Sequence, residues 1–306
     1  MSDATAFSRR DFCRKAAAAG AVAGLGLIGC SAPASAPGAP KRGWEIGCFT
    51  RPWDQHDYRT ALDAIAEAGY SHAGLMTAKS PSGLVISAAT TAEEAARVGE
   101  EASKRGLAIP SVYGGDIPVR ESLAAGIAAM KRLIDACAAA GAASLMMGGT
   151  GDPKLNDIYY QAVAETCAYA AERRVGITVK PHGGLNATGP QCRALIAKVG
   201  HPNFRLWYDP GNILYYSEGK LDPVADAATV DGLVVGMSVK DYRPPNDVLV
   251  TPGAGQVDFK AVMARLKKGG FVSGPLVVET LSPGDLPALL REAVKAREAV
   301  EAFAAV

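Results

Sequence analysis

The sequence predicts an α/β chain of the (β/α)8 barrel class. Short apolar runs alternate with amphipathic helical stretches eight times between Gly43 and the C-terminus. That alternation takes up about 260 residues, the ordinary length of such a barrel. An open doubly wound sheet would carry a Gly-rich phosphate turn after its first strand. Here that turn reads Phe49-Thr50-Arg51-Pro52-Trp53, without glycine.

The elements follow in order. Trp44 to Cys48 reads as the first strand. Tyr58, Ala61, Leu62 and Ile65 have helical spacing, and Gly69 stops that helix. Ala73 to Met76 is the second strand, and Thr91 with Glu94 forms a capping box for the next helix. Ala108 to Tyr113 is the third strand. Leu123, Ile127, Met130, Ile134 and Cys137 share one face of a long helix ending at Gly141. Ser144 to Met147 is the fourth strand, and a helix spans about Asp157 to Arg174. Ile177 to Val179 is the fifth strand, and Thr188 with Gln191 caps the helix after it. Leu206 to Tyr208 is the sixth, followed by an irregular region, Ile213 to Asp231, holding the sixth helix. Val234 to Val239 is the seventh, and Asp258 caps its helix. Pro275 to Val278 is the eighth, and Asp285 caps the last helix.

The bulk numbers suit one large domain with appendages. Of 306 residues, 48% are apolar, enough for a sizeable core. The net charge of +1 argues against a nucleic-acid partner. The six cysteines form no CxxC pair and no zinc-finger spacing.

The N-terminus reads as an address. Arg9-Arg10 and Phe12 precede an apolar run from Ala16 to Cys30. That run has the length of a signal core, not of a membrane span. The pattern resembles a twin-arginine export signal, and Leu27-Ile28-Gly29-Cys30 resembles a bacterial lipobox. Residues 1–29 are thus expected to be a signal, 30–42 an Ala/Pro-rich tether and 43–306 the barrel. Cleavage before Cys30 and acylation of its thiol would place the protein in the periplasm, with that lipid as its only membrane contact. Ala34-Ser35-Ala36 offers an alternative cleavage site.

In barrels of this class chemistry sits at the carboxyl ends of the strands. Those ends carry Arg51, Tyr113, Lys180, His182, Asp209, Asn212, Lys240, Asp241 and Glu279. Glu279 follows Leu276-Val277-Val278, and a carboxylate so close to an apolar strand needs a partner. His56, His72 and His201 read as structural or surface groups.

Four segments carry a resemblance to a known family. They are Asp209-Pro210-Gly211-Asn212, Val239-Lys240-Asp241, Gly255-Gln256-Val257-Asp258-Phe259, and Gly274 to Glu279. The chain resembles the xylose isomerase-like TIM barrels over about Gly43 to Phe303. These include sugar-phosphate isomerases and epimerases, inosose dehydratases and type IV AP endonucleases. The resemblance implies a divalent metal (Mn, Zn or Fe) held by Glu, Asp, His and Glu at strands five to eight. Asp209 and Glu279 match that set, but Lys180 and Ser238 replace the other two ligands. Two alternatives follow: Asp209, Glu279 and His182 form a reduced metal site, or Lys180 takes the metal's place. The endonuclease chemistry needs a His-rich zinc site, and this chain has four histidines.

The resemblance implies proton abstraction next to a sugar carbonyl. Glu279 is expected as base, Lys180 as electrophile and His182 as proton donor or hydroxyl ligand. Arg51, Asn212, Lys240 and Asp241 are expected to bind substrate. Isomerisation and epimerisation come first among the outcomes. A keto-glycoside lyase or dehydratase, or a carbohydrate-binding lipoprotein without catalysis, are the alternatives. The partner in every case is a small sugar.

Overall fold

Eight parallel strands form the core of the chain. They are β1 (Trp44–Phe49), β2 (His72–Gly74), β3 (Val112–Tyr113), β4 (Ser144–Met147), β5 (Gly176–Val179), β6 (Phe204–Tyr208), β7 (Val234–Val239) and β8 (Gly274–Val278). The structure, a computed structural model, describes residues 43–305. The signal and tether read from the sequence lie outside the described residues. The strand order β2-β1-β8-β7-β6-β5-β4-β3 runs around a barrel. Single parallel bridges, His72 with Ala108 and Leu75 with Val112, join the two ends.

The third strand is shorter than the apolar pattern predicts. Pro110 interrupts it and has no N–H to give a ladder. Its carbonyl instead accepts a hydrogen bond from Ser144 Oγ at 2.9 Å.

The helices are α1 (Tyr58–Glu67), α2 (Ala92–Lys104), α3 (Leu123–Ala139), α4 (Asn156–Glu172), α5 (Gly189–Val199), α6 (Pro210–Tyr216), α7 (Pro223–Ala227), α8 (Phe259–Lys268) and α9 (Leu286–Ala304). Both capping boxes form, Thr91 with Glu94 and Thr188 with Gln191. Asp258 and Asp285 cap α8 and α9. Each such cap contributes about 1 kcal/mol. The region after β6 is more ordered than its sequence suggests. Asp209 caps α6 directly, accepting from the Asn212 amide, so Asp209-Pro210-Gly211-Asn212 starts a helix.

Most of the apolar core lies between sheet and helices. A smaller one fills the barrel itself: Phe49, Met76, Met146, Trp207 and Val277, with Tyr113 packed against it. Two glycines admit its large rings. A Cβ on Gly74 would sit 2.2 Å from the Phe49 ring, and one on Gly236 would sit 2.4 Å from Trp207. This apolar plug underlies the strand ends, so charges placed there sit in a low-dielectric cup.

Candidate active site

Five charged side chains meet at the carboxyl end of the barrel. Arg51 follows β1, Lys180 follows β5, Asp209 follows β6, Lys240 follows β7 and Glu279 follows β8. Lys180 Nζ lies 2.9 Å from Asp209 Oδ2 and 2.5 Å from Glu279 Oε2. Lys240 Nζ lies 2.5 Å from Glu279 Oε1 and 3.4 Å from Asp209 Oδ2. Arg51 Nη1 donates to Glu279 Oε1 at 2.7 Å. The two lysines and two carboxylates are buried, whereas the Arg51 side chain keeps 33% of its exposure.

Burial alone would neutralise such groups, so each charge depends on its partners. Burial pushes the Lys180 pKa down, but Asp209 and Glu279 outweigh it, and the net shift is upward. Lys240 moves the other way. Burial lowers it, the pull of Asp209 and Glu279 opposes that, and repulsion from Lys180 and Arg51 leaves the net shift downward. Burial raises Glu279, but Lys180, Lys240 and Arg51 together hold it well below the usual carboxylate range. Lys180 is therefore the permanent cation of the pair. Three cations face two carboxylates, so the cluster carries a surplus positive charge.

Asn212 orients Lys240. Its Oδ1 accepts from Lys240 Nζ at 3.0 Å, and its Nδ2 donates to the Pro181 carbonyl at 2.6 Å. Gly211 gives the lysine passage, since a Cβ there would meet the Lys240 carbonyl at 2.6 Å. Asn212 is buried, and both ends of its amide are engaged, so here it positions a cation.

Asp241 needs a correction. The sequence reading made it a substrate ligand beside Lys240. Its carboxylate instead accepts from the amides of Tyr242, Gly253, Gly255 and Val257. It organises the loop between β7 and α8, and these four amides turn both of its oxygens to that loop.

The donor set does not fit a divalent ion. The carboxylate oxygens that would hold one are bridged by two ammonium groups. At about 4 Å and an effective dielectric near 20, a divalent ion would repel each lysine by about 8 kcal/mol. Ser238, at the position where the resemblance implies His, accepts a hydrogen bond from Trp207 Nε1 at 3.1 Å. His182 does not complete a group with Asp209 and Glu279. Among the described residues no cluster of three His, Cys, Asp or Glu side chains is arranged to hold a metal. Of the two alternatives the sequence leaves open, the reduced metal site is not assembled among the described residues.

His182 stands exposed at the mouth, its ring between Tyr113 and Tyr216 with centroids 6.2 and 6.0 Å away. The packing around the ring, then the charge of Lys180, lowers its pKa to about 4. The shift favours the neutral imidazole, which can give or accept a hydrogen bond.

The unfolded chain takes up the His182 proton near the ordinary pKa of 6.5, and the folded chain only near 4. The unfolded state binds more protons in that window, so stability falls as pH falls. Glu279, depressed from 4.5, removes further stability below that value. The melting temperature is expected to drop between about pH 6.5 and 4, and His182→Gln to flatten the upper part. An unchanged pH profile in that variant would contradict the assignment.

Three contributors carry no sequence signal. Asn186 Nδ2 donates to the Gly148 and Lys180 carbonyls at 2.8 Å each, pinning the loops after β4 and β5 together. Thr280, buried beside Glu279, has no hydrogen-bond partner for its hydroxyl among the described residues. His56, read as a structural or surface group, lines a cavity of about 430 Å³ together with Arg51, Glu279 and Thr280.

The family follows from comparison with known proteins. A family described as the xylose isomerase-like TIM barrel matches residues 62–304. The chain belongs to that family. Solved structures repeat its fold. A xylose isomerase domain protein from Planctomyces limnophilus shares 18% identity at a TM-score of 0.67, covering 85% of this chain and 97% of its own. A D-psicose 3-epimerase, crystallised in the presence of D-fructose, shares 13% at a TM-score of 0.67, covering 86% and 100%. A xylose isomerase-like TIM barrel protein from Mycobacterium smegmatis, in complex with magnesium, shares 17% at a TM-score of 0.66, covering 85% and 98%. No curated protein sequence matches the chain.

Proposed function

We propose that this xylose isomerase-like barrel is a sugar isomerase or epimerase that abstracts a proton next to a carbonyl, with Lys180 in place of a metal. The observation that supports this most is the seat of Lys180 Nζ between Asp209 and Glu279, at 2.9 and 2.5 Å. A buried cation that stays charged is suited to an oxyanion.

The substrate carbonyl oxygen enters near Lys180 and draws Arg51 and Lys240 away from Glu279. Losing those partners makes Glu279 more basic. Its carboxylate takes the proton from the carbon beside the carbonyl. The electron pair of the broken C–H bond becomes an enediolate, whose oxygen lies against Lys180. Delivery of a proton to the opposite face of the same carbon from water or a second donor, while Glu279 keeps the first, is epimerisation. Return of the proton from Glu279 to the former carbonyl carbon, with the neighbouring hydroxyl proton passing to the first oxygen, is isomerisation. Neutral His182 holds a sugar hydroxyl.

The test is proton exchange: ketoses and keto-sugars are incubated with the enzyme in D₂O and loss of the C–H signal is followed. Exchange is the expected result. Sugar binding without exchange overturns the reading in favour of a binding barrel.

The N-terminal pattern supports export by the twin-arginine route and anchoring through Cys30. Cys30→Ser is expected to move the protein from the membrane fraction to the soluble periplasm. An unchanged distribution contradicts the lipid anchor.

A further inference from the structure

We infer that Tyr113 is a catalytic acid, the donor that delivers a proton to the face of the sugar turned away from Glu279. This rests on the proton-abstraction reading above and commits that site to epimerisation. Taking a proton from one face and giving one to the other needs two groups. The cations of the charged cluster all touch Glu279: Lys180, Lys240 and Arg51 stand 2.5, 2.5 and 2.7 Å from its carboxylate. A proton from any of them would arrive where the first one left. The second donor therefore comes from another part of the barrel wall.

The strand order places Tyr113 on that part. The cluster follows β1, β8, β7, β6 and β5, five adjacent strands. β3 lies beyond them, joined to β4 on one side and bridged to the β2 segment on the other, and Tyr113 is its last residue. Tyr113 is in register with Met146, a member of the apolar plug, and packs against that plug, so its side chain points into the barrel. The residue is half-buried, and its hydroxyl has no hydrogen-bond partner among the described residues. Gly148 keeps the space beside that hydroxyl clear. A Cβ there would sit 2.9 Å from Tyr113 Oη and 3.2 Å from His182 Nδ1, so the phenol and the imidazole flank one gap at the mouth.

Burial raises the Tyr113 pKa against the pull of Lys180, so the phenol holds its proton at neutral pH. A phenol is a far stronger acid than a C–H beside a carbonyl, and transfer from its O–H to the enediolate carbon runs downhill. Glu279 keeps the first proton. The Tyr113 O–H bond breaks, its proton forms the new C–H bond, and the enediolate C=C pair supplies the electrons as the carbonyl re-forms. The phenolate left behind is favoured by the charge of Lys180 and regains a proton from Glu279 through water. In the reverse direction the phenolate is the base and protonated Glu279 the acid.

The test follows two epimer pairs in D₂O by NMR, D-fructose with D-psicose and L-ribulose with L-xylulose. The parent is expected to exchange and interconvert both members of at least one pair. Tyr113→Phe keeps the ring and its packing and removes only the hydroxyl. It is expected to lower interconversion by about 10²–10⁴-fold, the worth of a positioned acid. The epimer whose C–H faces Glu279 should still take up deuterium, whereas exchange of its partner is lost. A merely structural Tyr113 would slow both epimers alike. Equal losses for the two epimers, or parent-like interconversion in the variant, overturn the inference and leave Glu279 as base. Exchange without interconversion in the parent does the same. A parent that exchanges none of the four sugars overturns proton abstraction and the role of Tyr113 with it.

Discussion

Glu279→Gln is expected to lower proton exchange by about 10²–10⁴-fold, the usual worth of a positioned base. The amide cannot take a proton from carbon, although it nearly matches the carboxylate in shape. The substitution also removes one anion from a buried cluster of three cations and two carboxylates. Breaking such a buried pair costs about 3–5 kcal/mol, a large part of an ordinary fold's stability. Glu279→Asp separates the two effects. It keeps the charge among Arg51, Lys180 and Lys240 but withdraws the oxygens by one methylene. Its melting temperature is expected to stay nearer the parent than that of Glu279→Gln, while its exchange rate falls. A purely structural Glu279 would make exchange follow the folded fraction in both variants, as measured by circular dichroism beside the D₂O assay.

Lys180→Met should cost about 10²–10³-fold in exchange, the size of a lost oxyanion donor. Two consequences distinguish this lysine from a simple salt-bridge partner. Asp209 and Glu279 lose the cation between them, so Glu279 becomes more basic and the acid limb of the rate profile moves upward in pH. The lost lysine also lifts part of the repulsion that excludes a divalent ion, so Mn²⁺ affinity is expected to rise. Calorimetric titration with Mn²⁺ checks the second point, and the pH dependence of residual exchange checks the first. A variant with parent-like exchange would remove Lys180 from the mechanism.

The fold was largely legible because its signals are local. Capping boxes at Thr91 and Thr188, caps at Asp258 and Asp285, and apolar runs before each strand end all act over a few residues. The misses are places where local signals compete. Pro110 cuts short an otherwise apolar strand, and the helix expected within Ile213 to Asp231 begins earlier, at Pro210, because Asp209 caps it.

The site was legible as a set of strand ends but not as roles. The seats of Lys180, Asp209, Lys240 and Glu279 follow from barrel geometry. Their division of labour depends on distances that no sequence pattern encodes. Lys180 touches both carboxylates closely, and Lys240 meets one closely and the other at 3.4 Å. Asp241 was misread because its partners, the amides of the loop through Val257, are backbone groups without a side-chain signature. Asn186 and Thr280 were missed because a single buried amide or hydroxyl leaves no periodic trace.

The central claim is that an ammonium group stands where the family resemblance implies a metal. The most direct measurement is metal content of the protein, purified without chelator, together with its exchange activity before and after EDTA. The account predicts less than stoichiometric Mn, Zn or Fe and exchange that EDTA leaves unchanged. Stoichiometric metal, with exchange lost to EDTA and restored by Mn²⁺, would contradict it.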